Sequence, residues 1–293
     1  MKHAYSLLAC VILALLLGGY RVVYTNKGEV LPVKVTTWDA LGYYIYLPEQ
    51  FIYQDETQLN WFPALDQQYG LSGGNFYQAS RQKDGRYVGK YLEGVSILQL
   101  PFFLLADGYV TITHQYPRDG FSAPYQYAVA WGCILYVIFA LFYLRKLLLV
   151  YFSDGVTAAV LLLLIIPTNA LQYIAIEGGQ SHGYIFPLYV ALLCLSEAWY
   201  RKPTLVKGFF IGVVIGLGVI SRPTEAVMLF IPLFWGVANR ADLQQRFRFL
   251  KQHPVQLIAT LSGIFQGVLP QLLYWKRVTG SYVYDVGSKW DFL

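Results

Sequence analysis

Charged residues are scarce in this chain of 293 residues. Asp, Glu, Lys and Arg make up 13% of it, whereas soluble domains contain roughly 25%. Hydrophobic residues make up 56%, and apolar runs close to the length of a bilayer span recur along most of the sequence. This composition excludes an ordinary soluble protein and predicts an integral membrane protein.

Motifs for metals, nucleotides and disulfides are also lacking. The three cysteines, Cys10, Cys133 and Cys194, each fall in an apolar run, which is typical of small core residues. There is no HxxxH, HxxE or CxxC pair, no Walker loop, no dinucleotide fingerprint and no GxSxG elbow. We therefore expect no resident metal or cofactor, with a divalent cation left open.

Apolar segments predict an all-α polytopic membrane protein with about seven transmembrane helices. The first, within residues 1–24, also resembles a signal peptide, but no clear small-x-small cleavage site follows it, which favours an uncleaved span. Residues 25–122 then form one long loop, residues 123–276 hold six further spans, and residues 277–293 form a final segment. The six spans are expected at residues 124–144, 155–174, 182–200, 205–221, 224–239 and 255–275.

Basic residues set the expected orientation, and we interpret the formal charge of +5 as a topology signal and not as nucleic-acid affinity. Alternate loops carry the basic residues, which predicts a cytoplasmic N-terminus and a large extracytoplasmic loop at 25–122. The apolar stretch 94–110 is short and contains Pro101 and Asp107, and a span there would reverse every later loop. We expect it to be an interfacial helix. The basic residues of the inner loops are Arg145, Lys146, Arg201, Lys202, Lys207, Arg240, Arg246, Arg248 and Lys251.

The stretch "TTWDALGYYIYLP", Thr36 to Pro48, places one acid ahead of a tyrosine cluster just beyond the first span. Thr36-x-x-Asp39 matches a capping box, so Asp39 could serve to cap a helix. Helical spacing also puts Asp39, Tyr43 and Tyr46 on one face. Aromatic rings beside a carboxylate fit a sugar site, because the rings pack against sugar C–H groups and the hydroxyls hydrogen-bond.

Five motifs resemble the GT-C superfamily of membrane glycosyltransferases, which includes the protein O-mannosyltransferases, the lipid A aminoarabinose transferase and the Rgt-type bacterial transferases. The layout is similar too, with one span, a long outer loop with surface helices, and a run of spans. The motifs are "WDALGYYIYLP", "KYLEGVSILQLPFFLLAD", "GFSAPYQYAV", "GGQSHGYIFPLYVALL" and "GLGVISRPTEAVMLFIPLFWG".

The resemblance implies a GT-C-like fold and a glycosyltransferase of the bacterial inner membrane. Such an enzyme moves a sugar from a polyprenyl-phosphate donor to an acceptor hydroxyl on a glycan, lipid or protein at the outer face, with inversion. By the same resemblance Asp39 is the catalytic base. The family often carries a second acid next to the first. In this chain Asp39 is followed by Ala40, so the paired-carboxylate version is absent.

Three groups that can carry positive charge are expected on the same outer face as Asp39, where they would contact an anionic lipid headgroup. Each has a plainer explanation. Lys90 could be an exposed snorkelling lysine, and Arg222 could pair with Glu225. His182 could be a hydrogen-bonded structural residue. With Tyr43 and Tyr46, these residues complete the predicted substrate-binding set.

Other functions stay open. A transporter or flippase for lipid-linked sugars would share the architecture, and interrupted helices or a two-fold repeat would favour it. An O-antigen polymerase or ligase, or a non-catalytic protein of cell-envelope assembly, are further alternatives. The sequence ends in an aromatic segment without a closing span, so we expect further chain beyond residue 293 in the whole protein.

Overall fold

The computed structural model describes residues 3–26, 29 and 31–284, so most of the predicted final segment, residues 285–293, lies outside the described residues. The described part is 71% helix and 2% strand. The strands, β1 (Ala79–Arg81) and β2 (Tyr87–Gly89), form a short antiparallel hairpin in the first loop. The α-helices are α1 (Ala4–Val23), α2 (Asp39–Tyr44), α3 (Tyr46–Pro48), α4 (Phe62–Tyr69), α5 (Gly94–Thr113), α6 (Ala123–Tyr151), α7 (Asp154–Ile165), α8 (Ser181–Arg201), α9 (Leu205–Ser221), α10 (Phe230–Phe234), α11 (Arg240–Gln252) and α12 (Pro254–Thr279).

Among the described residues, five helices are long and apolar enough to cross a membrane, namely α1, α5, α6, α8 and α12. This supports an all-α membrane protein whose apolar helices fit a lipid bilayer. It does not support the finer expectation of about seven spanning helices. Helix α9, with 17 residues, is a shorter apolar helix, as is α7.

Two of the expected spans are interrupted. The segment expected at 155–174 contains α7, which ends at Ile165, and a π-helical turn at Gln172–Ile176. Pro167 has no backbone N–H to continue the helical hydrogen bonds, and its ring clashes with the carbonyl one turn earlier, which explains the break. The segment expected at 224–239 begins as a 3-10 helix, Pro223–Leu229, and continues as the short α10.

Helix α5, expected to be interfacial, is one continuous helix of 20 residues and belongs to the five. Its first residue, Gly94, packs against Ser221, the last residue of α9. Near its other end, Asp107 accepts a hydrogen bond of 2.7 Å from Tyr125, in the first turn of α6. Both ends of α5 therefore contact the same end of the neighbouring helices. We call it the site end; the basic loops lie at the other.

Helices α9 and α12 pack through glycines. A Cβ on Gly212 would lie 2.0 Å from the carbonyl oxygen of Thr260, and one on Gly263 would lie 2.0 Å from that of Phe209. Gly216 and Gly267 are in similar close contact. Small residues at this spacing allow two helix backbones to approach closely, as in many membrane helix pairs.

The start of the first loop is fastened to the site end of the helices. The side-chain carbonyl of Gln126, on α6, accepts hydrogen bonds from the backbone N–H groups of Val35 (2.9 Å) and Thr36 (3.2 Å). The Gln126 amide donates to the Thr36 hydroxyl at 2.6 Å. Arg21, at the end of α1, donates to the carbonyl of Ile176 at 2.8 Å. The buried contacts of Gln126 fix the chain directly before α2.

Candidate active site at the start of the first loop

Asp39 is the first residue of α2, and its carboxylate does not cap the helix. The N-cap residue is Trp38, and no side chain caps this end. The Thr36 hydroxyl, which the capping box required, accepts its bond from Gln126 instead. The capping-box interpretation is therefore wrong, and another contact must hold the Asp39 side chain.

The backbone just before Asp39 is strained. Trp38 has φ 54° and ψ −130°, a conformation that bulky residues rarely adopt. Its N–H donates to the Leu71 carbonyl and its carbonyl accepts from the Gln78 amide, both at 3.0 Å. Its exposed ring covers Gly73, where a Cβ would lie 2.4 Å from the ring. Backbone strain of this kind clusters at functional sites.

Two tyrosine hydroxyls hold the Asp39 carboxylate. Tyr77 and Tyr91 each donate to Oδ1 at 2.6 Å, while Oδ2 accepts no hydrogen bond from the described residues. Burial, followed by the bond to Asp39, raises the pKa of Tyr77 to about 12 and raises that of Tyr91 as well. Both phenols therefore stay protonated near neutral pH and remain donors. The arrangement leaves one carboxylate oxygen available to a ligand.

Tyr43 packs on one of the tyrosines that hold the Asp39 carboxylate. Its ring packs edge-on against Tyr91 with ring centroids 4.7 Å apart. Burial raises the pKa of Tyr43; the hydrogen bond with Ser181 and the charge of Arg222 lower it, and the charge of Asp39 raises it. Both charges therefore act on this phenol, in opposite directions.

Glycine is required at position 42 for Tyr91 to reach the carboxylate. A Cβ there would lie 2.0 Å from Cδ2 of Tyr91. Tyr46, on the following turn, is 1% exposed, and its hydroxyl donates to the backbone carbonyl of Tyr91. Its ring packs edge-on against Tyr274 at 4.9 Å. The expectation that Tyr46 lines the site on the same face as Asp39 is therefore wrong. Tyr46 is buried and contacts the backbone of Tyr91.

Arg222 and His182 contact each other beside this cluster. The Arg222 guanidinium lies 3.2 Å from Nε2 of His182, whose ring is parallel to Tyr173 at 4.2 Å. Among the described residues Arg222 has no ion pair with Glu225. That carboxylate accepts from the Tyr189 hydroxyl at 2.6 Å. The plainer explanation for Arg222, an ion pair with Glu225, does not describe its surroundings.

Lys90 is exposed and precedes Tyr91 in the chain. Its backbone N–H donates to the Gln78 carbonyl at 2.9 Å, and its ammonium has no ion-pair partner among the described residues. The structure thus brings Lys90 to the tyrosine cluster through its neighbour, with its charge available.

Sequence reasoning missed the residues that complete the site. Tyr77 and Tyr91 lie 38 and 52 residues from Asp39, and no spacing rule connects them to it. Tyr91 was adjacent to a predicted residue, Lys90, which was the one available signal. Ser181 and Tyr173 likewise become partners only when α8 and the π-helical turn are in place.

Two cavities adjoin the site. His182 lines a pocket of about 540 Å³ together with Thr168, Asn169 and Tyr173. A second cavity of about 520 Å³ runs along α8 between α5, α6 and α9, from Tyr184 towards Cys194 and Leu195. Its other lining residues, such as Leu98, Phe139 and Phe210, are apolar. Ligand pockets commonly have volumes of about 300–1,000 Å³.

Within the described residues, no group of three or more His, Cys, Asp or Glu side chains is placed to hold a metal ion. Comparisons with known protein families, with curated proteins and with solved structures find no match. The similarity to the GT-C superfamily, and the roles that it implies, accordingly remain predictions.

Proposed function

We propose that this protein is a membrane glycosyltransferase that moves a sugar from a polyprenyl-phosphate donor to an acceptor hydroxyl, with Asp39 as the general base. The observation that carries the proposal is the state of the Asp39 carboxylate. Oδ1 is held by the hydroxyls of Tyr77 and Tyr91 at 2.6 Å, and Oδ2 has no partner among the described residues. The carboxylate is fixed in orientation and has an oxygen ready to accept a proton.

In the proposed reaction, Asp39 Oδ2 accepts the proton of the acceptor hydroxyl as the acceptor oxygen bonds to the anomeric carbon. The bond from that carbon to the phosphate oxygen breaks, and its electron pair leaves with the polyprenyl phosphate. A single displacement of this kind inverts the anomeric centre, as in inverting glycoside hydrolysis. A positioned base typically contributes about 10²- to 10⁴-fold.

The departing phosphate needs positive charge, and Arg222 and Lys90 supply it in this scheme. Neither side chain has an ion-pair partner among the described residues, so both are available to an anion. The arginine fork matches two phosphate oxygens, and fixed cations stabilise charge that develops during the reaction. His182 lies against Arg222 at 3.2 Å and orients its guanidinium.

The apolar cavity along α8 supports a lipid-linked donor. It begins at Tyr184, two residues beyond His182, and has a wholly hydrophobic wall at Leu98, Phe139 and Phe210. An isoprenoid chain in this cavity would bring its phosphate to the start of α8, where Arg222 and His182 lie. The positive-inside distribution of Lys and Arg supports the proposal that this site end faces outward from a bacterial inner membrane.

One observation favours a second candidate, a transporter or flippase for lipid-linked sugars. The chain is non-α-helical at two places next to the site, the segment that ends with the π-helical turn Gln172–Ile176 and the 3-10 helix Pro223–Leu229. Interrupted helices often form binding sites in transporters. A flippase, however, has no use for a carboxylate held by two phenols with one oxygen free, so we favour the enzyme.

The test measures sugar transfer from undecaprenyl-phosphate-linked donors in membranes that contain the protein, wild type beside Asp39→Asn. The amide keeps the shape of the side chain and cannot take the proton, so transfer should fall about 10²- to 10⁴-fold while the donor still binds. Asp84→Asn, at an exposed acid paired with Arg86 on the hairpin, is the matched control and should transfer normally. Equal transfer by Asp39→Asn would contradict the assignment of the base.

A further inference from the structure

The first loop contains a cleft that is separate from the Asp39 carboxylate. It lies between α4 and the β1–β2 hairpin, has a volume of about 470 Å³, and is lined by both aromatic rings and polar side chains. This volume falls within the range of about 300–1,000 Å³ that is common for ligand pockets. Its principal lining residues are Gln58, Asn60, Phe62, Phe76, Arg81 and Tyr87.

The apolar side of the cleft is a row of three rings. Phe76 packs on Phe62 with ring centroids 4.3 Å apart and approaches Tyr87 at 6.0 Å. Phe62 is buried beneath, whereas Phe76 and Tyr87 are half-buried and keep part of their surface open. Aromatic surface of this kind packs against apolar C–H groups of a ligand, and Tyr87 also presents a hydroxyl.

The polar side offers unused donors and acceptors. The side-chain amides of Gln58 and Asn60 are exposed and have no hydrogen bond within the described part of the chain. The Arg81 guanidinium lies over the Tyr87 ring at 5.9 Å and has no acidic partner there either. Arg86, on the same hairpin, forms an ion pair with Asp84 at 2.6 Å. The two arginines of the hairpin therefore differ, and Arg81 is the one that lacks an acidic partner in the described part of the chain.

The segments that carry these groups are held in place before any ligand binds. Asp55 accepts backbone hydrogen bonds from Gln58 at 2.8 Å and from Asn60 at 3.2 Å. Asp66 accepts from the backbone and the hydroxyl of Ser72 at 2.6 and 2.5 Å, so its charge is already engaged. A fixed site loses less conformational entropy on binding.

The cleft and the Asp39 site draw on neighbouring residues of one chain segment. Ser72, Gly74 and Phe76 line the cleft, while Tyr77, the next residue, donates to the Asp39 carboxylate at 2.6 Å. Gly73 packs against Trp38, directly before Asp39. The segment 72–77 therefore contributes both to the cleft lining and to the contacts of the carboxylate.

We propose that this cleft binds a sugar ring of a neutral oligosaccharide, and that the oligosaccharide is the acceptor of the transfer reaction. The acceptor role rests on the proposed function, whereas saccharide binding does not. Aromatic surface together with amides and a guanidinium in one cleft matches the apolar faces and the hydroxyls of a sugar. The cleft lining holds one cation without an ion pair, Arg81, and one acid that is already hydrogen-bonded, Asp66, which does not favour a highly charged ligand.

The test is saturation-transfer NMR on the full chain in detergent micelles, with four neutral probes: maltotetraose, mannotetraose, chitotetraose and isomaltotetraose. At least one probe should give saturation transfer with wild type. Its signal should fall five-fold or more in Arg81→Ala and in Phe76→Leu, which keeps an apolar side chain and loses the ring. Lys83→Ala, an exposed change in the same hairpin outside the cleft lining, is the matched control and should bind as wild type does. Circular dichroism and melting temperature identify any variant that has lost its fold.

Three results separate this inference from the proposed function. Asp39→Asn should keep the NMR signal, because the carboxylate is not in the cleft. No binding of any probe by wild type, or equal binding by Arg81→Ala, would overturn the cleft assignment even if Asp39→Asn abolished transfer. Binding that depends on Arg81, with transfer unchanged in Asp39→Asn, would instead refute the role of the base and leave the cleft as a saccharide site.

Discussion

Glu93 gives the clearest prediction of how stability depends on pH. It directly precedes α5 and is 5% exposed, and its Oε1 accepts a hydrogen bond of 3.1 Å from the Gln50 amide. Burial raises its pKa from 4.5 to about 7; the charge of Arg277 and the bond from Gln50 act in the opposite direction. The folded protein therefore keeps a proton that the unfolded chain loses at lower pH.

The sign of the effect follows from proton binding. Between pH 4.5 and about 7 the folded state binds more protons at Glu93 than the unfolded state does, so the free energy of unfolding falls as pH rises. Below this range Glu93 is protonated in both states, so its titration does not change the free energy of unfolding. Above about pH 7, a pKa shift of this size lowers the free energy of unfolding by about 3 kcal/mol.

The perturbation is Glu93→Gln, which keeps an acceptor for Gln50 and removes the charge. The variant should match wild type in stability at pH 4.5 and exceed it by up to about 3 kcal/mol at pH 8. The assay is denaturant unfolding of the full chain in micelles at several pH values. Glu29→Gln is the matched control, because Glu29 is exposed and makes only a surface ion pair of 3.7 Å with Lys34. A difference between Glu93→Gln and wild type that does not grow with pH would refute the reasoning.

Two further predictions concern glycines. Gly42→Ala places a Cβ 2.0 Å from Tyr91 Cδ2 and should displace that ring from Asp39, which lowers transfer. Gly108→Ala, with no atom within 4 Å, should leave transfer unchanged, and equal transfer by both variants would contradict the role of Tyr91. Gly212→Ala meets the backbone of α12 and should lower the free energy of unfolding by about 1–3 kcal/mol, measured by denaturant unfolding. A Gly212→Ala protein as stable as Gly155→Ala, where the added methyl meets nothing, would show that α9 and α12 can separate freely.

The sequence was sufficient to predict the membrane class and the helical architecture, because the length of an apolar run is a local property. It was not sufficient for the continuity of the helices. The segment after Ile165 contains apolar residues of the right number, and Pro167 still ends the helix there. Likewise, the hairpin Ala79–Gly89 carries no strong strand pattern and forms where the chain folds over the site end.

The candidate site was predictable in its charged members and not in their partners. Asp39, Lys90, His182 and Arg222 stood out because charge is rare next to apolar runs. The hydroxyl donors Tyr77 and Tyr91 did not, because a tyrosine far away in the chain reaches Asp39 only through tertiary packing. Tyr46 shows the converse error. Helical spacing put it with Asp39, and the backbone stays helical through Ile45, but the Tyr46 side chain packs in the core and is 1% exposed.

The central claim is that a lipid-linked sugar is consumed at Asp39. The most direct measurement follows a polyprenyl-phosphate sugar by mass spectrometry in liposomes that contain the full chain and a cell-envelope extract as the source of acceptors. We predict protein-dependent release of free polyprenyl phosphate, with the sugar bound to a new molecule, and loss of this release in Asp39→Asn. Movement of the intact sugar lipid across the bilayer, without release of polyprenyl phosphate, would contradict the account and identify a transporter.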